Sequence, residues 1–351
     1  MKILYLFNRT KGNSLVEVQH GREADNHFFG MLRLKKHGIQ AESMELEESL
    51  FSPITPFLRK HILNIHFVHL PLFFRIFRYD IVFTSTAFGL LLAKVLFGLK
   101  KPKWVMFDFN IEDIIGDRKT FRQKVFYYMV SKTDGIITIS KSAAETMRRM
   151  FPEKERAIVF IHLGTDTNFF KPNNEPEGDY ILSPGRDPGR DYGTLLKAVS
   201  NLPLEVKVTA KTEHLKKAGM LTPNIHQYNF SNLELRDQYA HAKIIVIPLK
   251  ITPMSNNAMG CSTVVEAMAM GKAIVATDTQ MTRSYITHGV NGILVPAGDE
   301  HALRRAIEQL LPDTDKRKQL GIKARAFAEE YCDADDFAAK LSQFFLELNN
   351  R

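Results

Sequence analysis

Cysteine is scarce in this chain, which has two, Cys261 and Cys332, among 351 residues. Two thiols cannot build a disulfide framework, and they lack the spacing of a metal centre, so a reducing compartment is the simple reading. Long apolar runs are missing as well. The longest, Phe88 to Leu99, is broken by Lys94 and falls short of the roughly 20 residues that a membrane span needs, so it reads as a buried helix. The N-terminus, MKILYLFNRTKGNS, has neither the apolar core nor the small-residue cleavage site of a secretory signal, and a cytoplasmic location is expected. Paired carboxylates are absent where a metal would use them. The Asp-x-Asp patterns, Asp313–Asp315 and Asp333–Asp335, sit in the C-terminal helical region and away from strand ends, so no metal site is expected.

Acidic residues are missing from Ser49 to Tyr79, while the whole chain carries a net charge of +8. In that stretch Arg59, Lys60, Arg75 and Arg78 stand among Phe57, Ile62, Leu63, Phe67, Phe73, Phe74 and Phe77. Such mixing suits an amphipathic surface resting on anionic headgroups, here over about Pro56–Arg78; a core helix with solvated charges is the alternative. No recognised nucleic-acid module accompanies the charge, so nucleic acid is not an expected partner.

What is present is ordinary soluble-protein material, 44% apolar and 25% charged, and enough length for two domains. Short β-rich runs, many of them continuous in Val, Ile and Leu, alternate with helical stretches. They predict strands at 2–7, 41–46, 80–85, 104–109, 135–140 and 157–162, then at 180–183, 205–209, 225–229, 243–248, 272–277 and 292–295. Continuous apolar strands alternating with helices mean parallel sheets covered on both faces. The fold class is therefore α/β, with two Rossmann-like doubly wound domains. A polar stretch at Lys171–Asp179 reads as a linker, placing domains at 1–170 and 180–332 with a cleft between them. A long helical segment follows from about Asp313, broken near Cys332–Ala334.

Two segments carry the chemistry. In Gly260–Thr279, GCSTVVEAMAMGKAIVATDT, Gly260 makes a turn and Ser262 or Thr263 is placed to cap the helix that follows. Free N–H groups at that helix start form a diphosphate site, and Glu266, one turn on, can accept two hydrogen bonds from a ribose diol. An ordinary strand–turn–helix is the competing reading. In Tyr180–Val199, YILSPGRDPGRDYGTLLKAV, a strand ends at Gly185, and Arg186 and Arg190 lie in the loop before a helix. Two guanidiniums there can clamp a diphosphate and neutralise the charge on a departing nucleoside diphosphate, replacing magnesium. A surface pair bonded to Asp187 and Asp191 is the alternative.

These segments resemble those of glycosyltransferase family 4, whose members have the GT-B fold. Ile161–Pro172, IHLGTDTNFFKP, is similar to its inter-domain signature, Leu233–Leu249 to the unit before the donor site, and Thr282–Pro296 to the run after it. The resemblance covers Ile161 to about Leu311 well and the first 160 residues in outline. It implies a retaining, metal-independent transferase that uses no cofactor and takes a UDP- or GDP-linked sugar donor. It makes Arg186 and Arg190 the diphosphate clamp and Glu266 the ribose ligand. Gly185, Gly260, Ser262, Thr263 and Met259 then lie around the donor, with base recognition by the loop at Phe230–Ser231. The final helix, about 333–351, is expected to pack back on the first domain.

Two positions depart from the family pattern. Ala258 stands where the first motif glutamate belongs, leaving Asn256, Asn257 or nearby backbone N–H groups to substitute. The family's histidine after the fourth strand is replaced by FDFNIED, where Asp108 and Asn110 are the polar groups. Gly12 in the loop after the first strand, and His20 and His27 on an expected helix beyond it, are further candidates for the first domain's side of the cleft. Cys261 reads as a packing residue and Asp166 as a turn former. The expected function is transfer of a sugar to a lipid-linked or saccharide acceptor at the cytoplasmic membrane face. A catalytically silent nucleotide-sugar-binding subunit and a sugar-nucleotide epimerase are the alternatives.

Overall fold

Twelve strands overlap the runs read from sequence, in a computed structural model that describes residues 1–7, 11–44, 69–173, 175–187, 189–219, 221–251 and 258–351. The chain divides into two compact units. The first holds Met1–Val16, Phe28–Ile161 and Phe337–Arg351, and the second holds Glu17–His27 and His162–Asp336.

In the first unit, β1 (Lys2–Leu6), β2 (Gln40–Ser43), β3 (Ile81–Thr84), β4 (Lys103–Asp108), β5 (Gly135–Thr138) and β6 (Ile158–Phe160) form one sheet in the order β2-β1-β3-β4-β5-β6. Every pairing is parallel. Between the strands lie α1 (Gly12–Gln19), α2 (Phe88–Leu96), α3 (Ile111–Ile115), α4 (Phe121–Ser131) and α5 (Lys141–Met150). Leu4, Val82, Trp104, Met106 and Ile136 share a buried cluster with Phe88, Leu91, Phe126 and Met147, which covers one face of the sheet. From the chain's end, Phe345 meets Phe83 with ring centroids 5.6 Å apart and Phe337 meets Phe107 at 6.3 Å.

The second unit repeats the plan with β7 (Tyr180–Ser183), β8 (Glu205–Val208), β9 (Ile225–Gln227), β10 (Ile244–Ile247), β11 (Ala273–Thr277) and β12 (Ile293–Val295) in the order β12-β11-β10-β7-β8-β9. These pairings are also all parallel. Its helices are α6 (Tyr192–Val199), α7 (Thr212–Ala218), α8 (Asn232–His241), α9 (Cys261–Ala269), α10 (Glu300–Leu310) and α11 (Thr314–Tyr331); α12 (Ala334–Asn349) then leads into the first unit's final segment. The break between α11 and α12 falls at Cys332–Asp333, where Thr165 N–H donates to the Cys332 carbonyl and the Thr167 hydroxyl to Asp333.

Two boundaries differ from the sequence expectation. The division falls at Ile161–His162, ahead of the polar stretch 171–179, because that stretch is tied down within the second unit. Arg317 donates to Glu177 at 2.6 Å, and the Gly178 N–H to the His241 carbonyl at 2.8 Å. Residues 17–27 also belong to the second unit, anchored by Asn26, whose side chain bonds the Thr165 hydroxyl at 3.0 Å and the Asp166 N–H at 2.8 Å. Among the described residues no helix is long and apolar enough to cross a membrane.

Candidate functional site

Strand order selects where a ligand can sit. In an open parallel sheet the crevice lies outside the carboxyl ends of the two strands from which the chain winds in opposite directions. In the second sheet these are β7 and β10, from the order β12-β11-β10-β7-β8-β9. The loop after β7 carries Gly185, Arg186 and Arg190, and the segment after β10 leads into α9. The two arginine- and glycine-bearing segments picked out by sequence therefore flank one switch point.

The loop after β7 is built around Arg190. Although charged, it is 2% exposed. Its Nε donates to Asp187 at 2.9 Å and its Nη2 to the Thr263 hydroxyl at 2.6 Å. Its Nη1 is buried with no hydrogen-bond partner. A buried guanidinium with one open donor costs free energy unless an acceptor joins it. Gly185 makes this seat possible. Its φ is +120°, and a Cβ there would come within 2.5 Å of the Arg190 Nε. The Tyr192 hydroxyl and the Thr209 hydroxyl fix the Gly185 peptide, at 2.8 Å to its carbonyl and 2.8 Å from its N–H. Arg186 is exposed and donates to the Phe230 carbonyl at 3.0 Å. Neither arginine is thus a surface partner of Asp191, which caps α6 instead.

Helix α9 starts differently from the expectation. Gly260, at φ +78°, is its N-cap, and no side chain caps it. Because the helix begins at Cys261, Ser262 and Thr263 already lie inside its first turn, where they cannot cap it. Ser262 is exposed, and the Thr263 hydroxyl is engaged by Arg190. Among the described residues no acceptor meets the N–H groups of Ser262 and Thr263. The helix start, positive by its dipole, and the Arg190 guanidinium thereby join into one anion-attracting corner.

Glu266 lies one turn further along α9. The Tyr239 hydroxyl donates to its Oε2 at 3.2 Å, and the Asn26 side chain also bonds it. Desolvation pushes its pKa up from 4.5 to about 7, against the opposing pull of Tyr239, Asn26 and Arg190. Its carboxyl faces a hollow of about 40 Å³ lined by Glu23, Asn26, His27, Phe169 and Asn232 among others. Tyr239 and Asn26 escaped the sequence reading. Tyr239 resembles any core tyrosine of a helix, and Asn26 is 139 residues from its partner Thr165.

The other predicted residues fall into two groups. In the second unit, Met259 packs against Gly189, where a Cβ would strike its sulfur. The Phe230 ring stacks on Tyr228 at 5.0 Å, and Ser231 opens α8 with a reciprocal Glu234 capping box. His20 and His27 do not share a helix. Gly21, at φ +68°, ends the α1 run just beyond His20, and His27 lies in the separate turn Asp25–Phe28. His27 is half-exposed, 4.0 Å from Glu23. Asp166 forms the expected turn, accepting from the N–H groups of Asn168 and Phe169 at 3.0 Å each. Ala258 is half-buried, and Asn256 and Asn257 lie outside the described residues. Cys261 is buried, its thiol pushed up to about 12 by desolvation, so it packs and does not react.

Gly12, Asp108 and Asn110 belong to the first unit. Gly12 opens α1 and is exposed. Asp108 ends β4, is buried, and accepts the Ile111 N–H at 2.8 Å. Desolvation, helped by repulsion from Glu112 and Asp113, raises its pKa to about 6. Asn110 precedes α3 without capping it. Of the Asp-x-Asp patterns, Asp313 caps α11, and Asp333 receives the Thr167 hydroxyl and the Asp335 N–H. Among the described residues no group of three or more His, Cys, Asp or Glu side chains is arranged to hold a metal ion.

Comparison with known proteins completes the picture. Residues 166–327 match the family described as "Glycosyl transferases group 1", and residues 20–169 match "Glycosyltransferase Family 4". A glycosyltransferase of Methanocaldococcus jannaschii is 25% identical over 305 residues, covering 77% of this chain and 76% of the relative. A second from that organism is 24% identical over 211 residues, and the match spans 59% of this chain and 58% of that relative's length. Among solved structures, sucrose-phosphate synthase from Thermosynechococcus elongatus superposes with a TM-score of 0.72 at 16% identity, covering 99% of each chain. Anabaena HepE in complex with UDP superposes at 0.68 and 15% identity, covering 99% of this chain and 100% of that one. At such identities these two likenesses concern the fold.

Proposed function

Because this chain belongs to glycosyltransferase family 4 and has the GT-B fold, we propose that its second unit holds a nucleoside-diphosphate sugar at the corner formed by Arg190 and the start of α9. The buried Arg190 Nη1, without a partner and beside the open N–H groups of α9, carries this reading. A diphosphate supplies the acceptors that both lack. Arg186, exposed on the same loop, swings from the Phe230 carbonyl to the second phosphate. Glu266 accepts the ribose hydroxyls, and the base lies against the Phe230–Ser231 loop. The UDP bound to HepE favours a uridine donor among the two nucleotide classes considered.

The reaction follows from this placement. The bond between the anomeric carbon and the β-phosphate oxygen breaks, and the acceptor oxygen bonds that carbon from the same face, retaining configuration. The acceptor proton passes to the departing diphosphate. Arg190, Arg186 and the helix start neutralise the charge that develops there, the task a divalent cation performs elsewhere. The acceptor is a lipid-linked or free saccharide, reached at the cytoplasmic face of a membrane.

Calorimetric titration with UDP, GDP and ADP in the presence of a chelator tests the donor site. Tight binding of one nucleotide, weakened about ten- to a hundredfold in Arg186→Ala, is the expected result. Binding that requires added metal, or that ignores the substitution, overturns the assignment.

A further inference from the structure

From Ser49 to Phe107 the sequence holds eight lysines and arginines against one acid, Asp80. The structure shows where part of this charge lies. The 3-10 turns of Leu70–Arg78 bury Leu72 and Ile76 and leave the opposite side outward. There Phe74 is 83% exposed and Phe77 43%. The end of α2, about twenty residues on in sequence, comes alongside, with Phe97 and Phe73 ring centroids 5.5 Å apart. Leu96 and Phe97, 74% and 69% exposed, extend the apolar surface. Arg75, Arg78, Lys100 and Lys101 belong to the same two segments, and among the described residues none of them pairs with a carboxylate.

We propose that this two-segment surface, Phe73, Phe74, Phe77, Leu96 and Phe97 with its basic residues, docks on an anionic lipid bilayer. Sequence alone marked about Pro56–Arg78; of that stretch, 56–68 lies outside the described residues, and the α2 end is an addition that only packing reveals. The chemistry selects the partner. The apolar tips are phenylalanine and leucine, which carry no hydrogen-bonding group and can enter the acyl boundary. The charges beside them are of one sign and meet headgroup phosphates. Large exposed apolar patches are otherwise avoided by soluble proteins. The inference rests on the transferase reading only for its purpose, namely holding the protein against membrane-borne acceptors.

The test is co-sedimentation of the full chain with vesicles of pure phosphatidylcholine and of phosphatidylcholine with 30% phosphatidylserine as probe, alongside nucleotide titration of each variant. Binding to the anionic vesicles at low salt, at least tenfold weaker on the neutral ones, is expected. Phe74→Ser with Phe97→Ser, and separately Arg78→Glu with Lys101→Glu, should each cost at least tenfold. These side chains are exposed, so nucleotide affinity should stay as in the unmodified chain, which separates failure of this surface from failure of the donor site. No sedimentation with anionic vesicles, or sedimentation indifferent to both pairs, overturns the proposal. So does a doubled mass in light scattering that Phe74→Ser abolishes, which would assign the surface to a second copy of the chain.

Discussion

Replacing Glu266 by glutamine should make the protein more stable at pH 8 while weakening its hold on nucleotide. Burial raises this carboxyl from 4.5 to about 7 in the folded chain. The native state therefore binds its proton more tightly than the unfolded state does. Stability from this group is fully present below 4.5 and is lost as pH rises through about 7. At roughly 1.4 kcal/mol per pH unit, the wild type forgoes about 3 kcal/mol at pH 8, an upper figure because the group is partly open to solvent. Glutamine keeps the shape, still accepts from Tyr239, and carries no charge to desolvate. For a unit of this size that difference corresponds to about 6–12 °C in the unfolding midpoint. Thermal unfolding of both proteins between pH 4.5 and 8, followed by tyrosine fluorescence or calorimetry, measures it. The gap should be widest at pH 8 and close towards pH 4.5. A variant no more stable than wild type at pH 8, or a gap that does not change with pH, refutes the reasoning. In the same samples nucleotide affinity should fall about ten- to a hundredfold in the variant, since a charge-assisted bond to ribose is lost.

Three further outcomes follow from the site's geometry. Asn26→Ala removes a hydrogen bond that lowers the Glu266 pKa, so the pH at which wild-type nucleotide affinity is halved, near 7, should move upward; an unchanged midpoint in calorimetric titrations from pH 6 to 9 counts against the contact. Gly185→Ala places a Cβ against the Arg190 guanidinium at φ +120° and should cost about 1–3 kcal/mol of stability together with most nucleotide affinity; denaturant unfolding and titration that both match wild type would show that Arg190 does not need this seat. Arg190→Lys cannot reach Asp187 and Thr263 with one planar fork, and should lose at least tenfold in nucleotide affinity, whereas full affinity would mean that a point charge suffices.

Local order was legible because its signals are local. Most strands need only a short run of β-branched and other apolar residues between turn residues, and all twelve predicted runs overlap a strand, although β2 (QAES) is polar. The glycine and arginine segments of the proposed donor corner could likewise be read from residue type and spacing, since Gly185, Arg186 and Arg190 lie in one loop. The α9 cap was not legible. Ser262 and Thr263 are capping residues by type, but Gly260 adopts the left-handed conformation and moves the helix start, leaving the Thr263 hydroxyl to Arg190 and Ser262 exposed.

Sequence by itself determined the class of this protein: two parallel α/β sheets, a family assignment, and the residues proposed to meet a diphosphate. Tertiary structure decided what those residues are. It buried Arg190, brought Thr263, 73 residues away, into its hydrogen-bonding reach and left Nη1 open. It carried residues 17–27 into the second unit, so that Asn26 and Tyr239 converge on Glu266. It also set Phe97 beside Phe73. The physical reason is common to all three. Backbone preference is written within a few neighbouring residues, whereas burial, charge state and exposure depend on which distant segments the packed core brings together.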